Sequence, residues 1–261
     1  MLPNFLIIGT ARAATDTLYY TLKKHPEICM AKSREVHYFD RNFYKGTKWY
    51  EKYFVNCEKK IVGEKTANYL FDTSAPKNIF NTLGEKTKLI CVLRNPSERA
   101  YSHYTNWIKL GVISKEKSFL DTTKQFPDIL EMGKYKNLLD NYLKYFAKNN
   151  IKIILFDDIK NKPKDCFAEI FTFLDIRIID VENRKRNASK EFHRMFGKNF
   201  NDNIINKFER ILPSTLYRNF VKITKVKSKK LKKEDKEYLD NYFHPENEKL
   251  FNFLNKTNIW T

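Results

Sequence analysis

Glycine and proline are scarce: seven and eight residues in a chain of 261, clustered nowhere. That distribution leaves no linker, low-complexity tract or internal repeat, and the chain reads as one domain spanning residues 1–261. No apolar run approaches the roughly 20 residues of a membrane-crossing helix, and no secretory leader opens the chain, so a cytoplasmic protein is expected. The four cysteines (Cys29, Cys57, Cys91, Cys166) make no CxxC pair and no Cys/His cluster at metal-ligand spacing. No metal site is expected. With Cys91 in the apolar run KLICVL and Cys166 in a helical pattern, buried free thiols in a reducing compartment are the default. Finally, the Gly-Lys-Ser/Thr loop and a clear magnesium-binding Asp are both missing, which argues against a kinase or nucleoside triphosphatase.

Positive charge and apolar residues are plentiful. Forty-nine Lys and Arg against 31 Asp and Glu give a net charge of +18, a field that favours anionic partners such as phosphates, acidic glycans, nucleic acid or membrane surfaces. Charge alone does not choose among them, and nucleic acid has nothing else in its favour. The lysine run from Lys222 to Lys236 reads most simply as a solvated face. Hydrophobic residues make up 42% and aromatics 15%, ample for a sizeable core.

Short β-rich runs at Phe5–Ile8, Lys60–Gly63, Lys88–Leu93 and Ile151–Phe156 alternate with helical spacing at Ser97–Leu110, Tyr135–Lys148 and Lys164–Leu174. This alternation predicts an α/β fold with a central parallel sheet flanked by helices. From about Asn199 the pattern is helical, with separate segments KKEDKEYLDNYF and HPENEKLFNFLNK. Ligands of such sheets sit at the carboxyl ends of the strands. Three of the four segments leaving those ends, GTARAAT, EKTANY and RNPSERAYS, carry cationic or hydroxyl groups suited to an anion. In IIGTARAATDT an apolar run breaks at glycine, a basic and hydroxyl-rich turn follows and a helix begins, the arrangement of an anion site at a helix N-terminus. Arg94, closing a strand, and Ser102, eight residues on, supply a guanidinium fork and a hydroxyl for one phosphate.

In chain order, PNFLIIGTARAATDTLYYTLKKHPEI, KSREVHYFD, YKGTKWYEKYF, GEKTANYLFDTSAPKNI, VLRNPSERAYSHY and FDDIKNKPKDCFAEIFTFLDI resemble sulfotransferases that use 3′-phosphoadenosine-5′-phosphosulfate (PAPS). The branch most similar to them contains heparan sulfate sulfotransferases and their bacterial relatives. The resemblance implies a P-loop-like sulfotransferase fold with a helical C-terminal part. It also implies PAPS as donor, no metal, and a carbohydrate or small-metabolite acceptor, including a cell-surface glycan precursor. Arg12, Ala13, Ala14, Thr15, Asp16 and Thr17 then fall at the 5′-phosphosulfate, and Arg94 and Ser102 at the 3′-phosphate. Arg184, Arg186 and Lys190 fall in a basic segment that closes over the nucleotide. Glu35 falls at the catalytic base, His37 beside it as orienting partner, acceptor ligand or secondary base, and Lys65 faces the sulfuryl group or acceptor. Arg12 and Lys65 would stabilise the charge on the departing phosphate.

Each residue also has an ordinary reading: a surface carboxylate, a satisfied histidine, a solvated lysine, half of a surface ion pair. The aromatics of HYFDRNFYKGTKWYEKYF read mainly as packing, with Trp49 and Tyr50 left open. Two letters depart from the family pattern. Ala14 stands where relatives have glycine and requires negative φ, and Asp16 repels the donor unless a cation neutralises it. These departures leave a second possibility, a non-catalytic nucleotide- or acidic-glycan-binding protein on a degenerate sulfotransferase fold.

Overall fold

A computed structural model describes residues 1–180 and 231–260. Five strands, β1 (Phe5–Gly9), β2 (Ile28–Met30), β3 (Ile61–Lys65), β4 (Lys88–Leu93) and β5 (Ile151–Leu155), form one sheet in the order β2-β3-β1-β4-β5. Every pairing is parallel. Four strands lie where the apolar runs predict them. The fifth, β2, is a three-residue edge strand following His25-Pro26, too short to show a period of its own.

The central strand β1 is buried along its whole length, as is β3, because helices cover both faces of the sheet. One face packs Leu6, Ile8, Leu89, Cys91 and Leu93 against Tyr69, Tyr135, Leu139 and Tyr142. The other packs Phe5, Ile7, Ile90 and Val92 against Leu18, Leu22, Phe167 and Phe171. The alternation along β1 assigns successive side chains to these two cores. At the end of β1, Gly9 is required by close approach: a Cβ there would lie 2.6 Å from the Leu70 Cβ.

The helix Pro96–Lys109 follows β4 almost directly. Asn95 caps it, its side chain accepting hydrogen bonds from the Ser97 and Glu98 amides, and Pro96 takes the first position, where its missing N–H costs nothing. At the C-terminal end, the two segments read separately form one helix, Lys233–Leu254, with Pro245 inside it. Leu239, Phe243, Leu250 and Phe251 of this helix are buried, so packing on both sides of the proline holds the helix through a residue that would end an isolated one. Ser97 donates a hydrogen bond to Asp240 at 2.7 Å, tying this helix to the one after β4.

Cys91 and Cys166 are buried free thiols, as expected. Cys29 and Cys57 are not free: they form a disulfide between β2 and the segment preceding β3. Their separation of 28 residues carries no motif, and only the return of the chain along the sheet edge brings them together. Among the described residues, no cluster of metal-ligating side chains is present, and no helix is long and apolar enough to cross a membrane.

Candidate active site

Neighbouring strands β3, β1 and β4 end side by side, and the segments leaving them meet. After β1 the chain turns through two left-handed residues, Arg12 (φ 73°) and Ala14 (φ 63°), and enters the helix Thr15–Lys23. Ala14 therefore has the conformation glycine would take, and the expected negative φ is corrected. The helix that starts at Thr15 dictates the turn, and alanine bears the strain. Ala13 and Thr15 are buried. The first-turn amides of the helix have no intrahelical acceptors and supply the positive end of its dipole, so the turn forms a nest for an anion.

Arg12, Arg94 and Ser102 converge beside this turn. Arg12 Nε donates to Ser102 Oγ at 3.2 Å, and an Arg94 amino group donates to the Arg12 carbonyl at 3.3 Å. Arg94 is also paired with Glu98, 2.9 Å away and one helical turn along, and its guanidinium lies over the Phe156 ring. Two guanidinium groups, a hydroxyl and a helix N-terminus on one wall are the components of an anion clasp.

The second group of side chains lies across the turn. Lys65, the last residue of β3 and only 2% exposed, places Nζ 2.6 Å from Asp16 and 2.7 Å from Glu35. Asp16 also faces Arg34 at 3.7 Å. The carboxylate expected to repel an anion is thus neutralised, and it anchors a buried lysine. His37 bridges outward: its Nε2 is 3.5 Å from Glu35, and its Nδ1 is 2.8 Å from Asp40, a carboxylate with its side chain 4% exposed. His37 has φ 53°, a left-handed turn whose carbonyl accepts from the amides of Arg41 and Asn42.

The electrostatics follow from this arrangement. Burial pushes the Glu35 carboxyl up, but the His37 hydrogen bond and the Lys65 charge outweigh it and hold the group at about 2. Hydrogen bonds to Asp40 and Glu35 raise His37 to about 9, against the opposing effect of burial. At neutral pH Glu35 is ionised and His37 is a cation with both ring nitrogens donating.

The structure therefore brings Glu35, His37 and Lys65 together, with Arg12, Ala14, Thr15, Asp16, Arg94 and Ser102 nearby, while Arg184, Arg186 and Lys190 lie outside the described residues. Thr17 is half-buried in the first helical turn. Sequence reasoning missed Asp40, although its place three residues after His37 in HYFD was a usable signal. It also left Tyr50 open. That residue is fully buried, stacked on Tyr38 with ring centroids 4.2 Å apart, so it belongs to the core.

Residues 2–255 match the sulfotransferase domain family. The chain is 25% identical to the membrane-associated sulfotransferase kil1 of Dictyostelium discoideum over 99% of its own length and 66% of that protein. It is 28% identical to heparan sulfate glucosamine 3-O-sulfotransferase 5 of Mus musculus, over 99% of this chain and 74% of that one. Across eight curated relatives the chain spans between about a third and three-quarters of their length. A sulfotransferase structure from Alicyclobacillus acidocaldarius superposes with a TM-score of 0.74 at 20% identity, covering 98% and 97% of the two chains, which establishes the shared fold. The chain belongs to the sulfotransferase family.

Proposed function

We propose that this sulfotransferase takes its sulfuryl group from PAPS and delivers it to a hydroxyl or amine of a carbohydrate or small-metabolite acceptor, with Glu35 as general base. The observation that carries this reading is the juxtaposition of an ionised carboxylate, Glu35, with a buried lysine beside an anion clasp. The residues present fit the donor: the left-handed turn and helix N-terminus suit the 5′ group, and Arg94 with Ser102 suits the 3′-phosphate. PAPS supplies an activated sulfur whose bond to the phosphate oxygen breaks as the acceptor oxygen or nitrogen bonds to it.

Glu35 accepts the proton that the acceptor loses during attack. His37, protonated and held by Asp40, orients the Glu35 carboxylate through its second ring nitrogen. Lys65 and Arg12 oppose the negative charge that gathers on the departing phosphate, and they do so without rearrangement because Asp16 and Ser102 already hold them. Arg12 acts by charge alone, since a guanidinium keeps its proton. Similarity to heparan sulfate glucosamine 3-O-sulfotransferases supports a carbohydrate acceptor.

The test is PAPS turnover with a panel of desulfated glycosaminoglycan oligosaccharides and simple alcohols and amines. The expected result is release of adenosine 3′,5′-bisphosphate that depends on one acceptor class and needs no added metal. Binding of adenosine 3′,5′-bisphosphate without turnover across the panel would favour the non-catalytic reading instead.

A further inference from the structure

We propose that Glu64 is a positioning residue for the acid–base segment, setting the backbone of residues 36–39 through Thr66 and Tyr69. The inference rests on the reading of Glu35 as base.

The end of β3 reads Gly63-Glu64-Lys65, followed by Thr66. Strand alternation sends Lys65 toward Asp16 and Glu35 and turns Glu64 to the opposite side, where its carboxylate has no solvent exposure. Three hydroxyls surround it. Tyr50 approaches Oε2 at 2.5 Å, Thr66 approaches Oε1 at 2.5 Å, and Tyr69 approaches Oε1 at 2.9 Å.

Two of those hydroxyls also receive backbone amides. Thr66 Oγ1 accepts from the Val36 and His37 N–H groups, both at 3.2 Å. The Tyr69 hydroxyl accepts from the Tyr38 and Phe39 N–H groups at 2.8 and 3.2 Å. With their lone pairs engaged by amides, the one proton each hydroxyl carries points at Glu64. Four consecutive amides, in a stretch that is neither helix nor strand, are thus oriented by one buried carboxylate through two relays. Glu35 lies immediately before this stretch and Asp40 immediately after it, and His37 sits inside it with its left-handed φ of 53°. Burial raises the Glu64 pKa, with the hydroxyl donors acting in the opposite sense. In either protonation state Thr66 and Tyr69 donate to it, because a protonated Glu64 would turn its own proton to Tyr50.

A carboxylate that only filled the core would stabilise the fold and leave the site geometry to other contacts. Glu64→Gln separates the two roles, because the amide has one oxygen for three donors and introduces two N–H groups. Tyr50→Phe serves as the control, removing a donor to Glu64 that touches none of the four amides. Three quantities are measured on each variant: adenosine 3′,5′-bisphosphate affinity, kcat, and the His37 imidazole titration followed by NMR. In the parent, the hydrogen bonds to Asp40 and Glu35 raise His37 to about 9, which sets the expected starting midpoint. Glu64→Gln is expected to keep nucleotide affinity within about twofold, to lower kcat at least tenfold and to lower the His37 midpoint by about one pH unit as His37 withdraws from Asp40 and Glu35. Tyr50→Phe is expected to leave kcat and the midpoint near parental values. An unchanged His37 midpoint in folded Glu64→Gln, or equal losses in the two variants, overturns the proposal.

If Glu64→Gln does not fold, Thr66→Val and Thr66→Ser read the same link: the isosteric valine lowers the midpoint and the serine restores it. No shift with valine is again contrary. The titration needs no turnover, so a midpoint that moves while Glu35→Gln stays fully active would retain Glu64 as positioning residue and remove Glu35 as base.

Discussion

Asp16 Oδ1 and Lys65 Nζ lie 2.6 Å apart, one from the first helix turn after β1 and the other from the end of β3. This contact turns an apparent defect of the turn after β1 into a support for the buried lysine at the end of β3. It also makes opposite predictions for its two partners. Asp16→Asn removes a negative charge near the anion site, so adenosine 3′,5′-bisphosphate should bind about threefold tighter at low salt, with the gain shrinking as salt rises. Lys65→Met removes the cation and leaves two carboxylates facing each other, and affinity should fall at least about tenfold. Calorimetric titration at two salt concentrations reads both, and weaker binding by Asp16→Asn contradicts the arrangement.

Ala14 occupies a glycine conformation at φ 63°. Ala14→Gly should relieve the strain and raise the unfolding free energy by about 1 kcal/mol, while a β-branched Val should lower it by more. Denaturant midpoints for the two variants check this. A destabilised Ala14→Gly would show that the turn is not left-handed.

The protonated His37 links stability to pH. Its folded pKa of about 9 exceeds the ordinary 6.5, so it binds its proton more tightly when folded. Its contribution is complete below about pH 6.5 and fades as pH rises through about 9. At about 1.4 kcal/mol for each tenfold change in proton affinity, discounted for screening, the parent should lose about 2 kcal/mol more than His37→Gln across that window. Denaturant titrations at the two pH values measure it, and equal losses count against the Asp40–His37–Glu35 chain.

The Cys29–Cys57 bond brackets residues 30–56, which include Glu35, His37 and Asp40. Unfolded without reductant, the protein should expose two titratable thiols, Cys91 and Cys166, and four after reduction. Closing a loop of this size is worth about 3.5 kcal/mol in the chain-entropy account, so reduction should lower the unfolding midpoint. Such a bond persists in an oxidising compartment. Four thiols before reduction would remove it.

Much of this was legible along the chain. Four of the five strands announced themselves as apolar runs, and Arg12, Arg94 and Ser102 stand in segments leaving strands whose chemistry can be read locally, whereas Glu35, His37 and Lys65 were singled out only by the family resemblance. What escaped were relationships between distant residues. Glu64 reads as one more charged residue until Tyr50, Thr66 and Tyr69 are seen around it. Cys29 and Cys57 lack a motif, and the short β2 lacks the length to show alternation. Pro245 misled because local propensity ends a helix there, whereas burial of Phe243 and Leu250 on either side carries it through.

The most direct test of the central claim is the turnover of Glu35→Gln with PAPS and a competent acceptor, measured beside its affinity for adenosine 3′,5′-bisphosphate. Loss of the general base should lower kcat by about 10²–10⁴-fold while nucleotide affinity stays within about twofold. Parental turnover in this variant would contradict the assignment of Glu35 as the base.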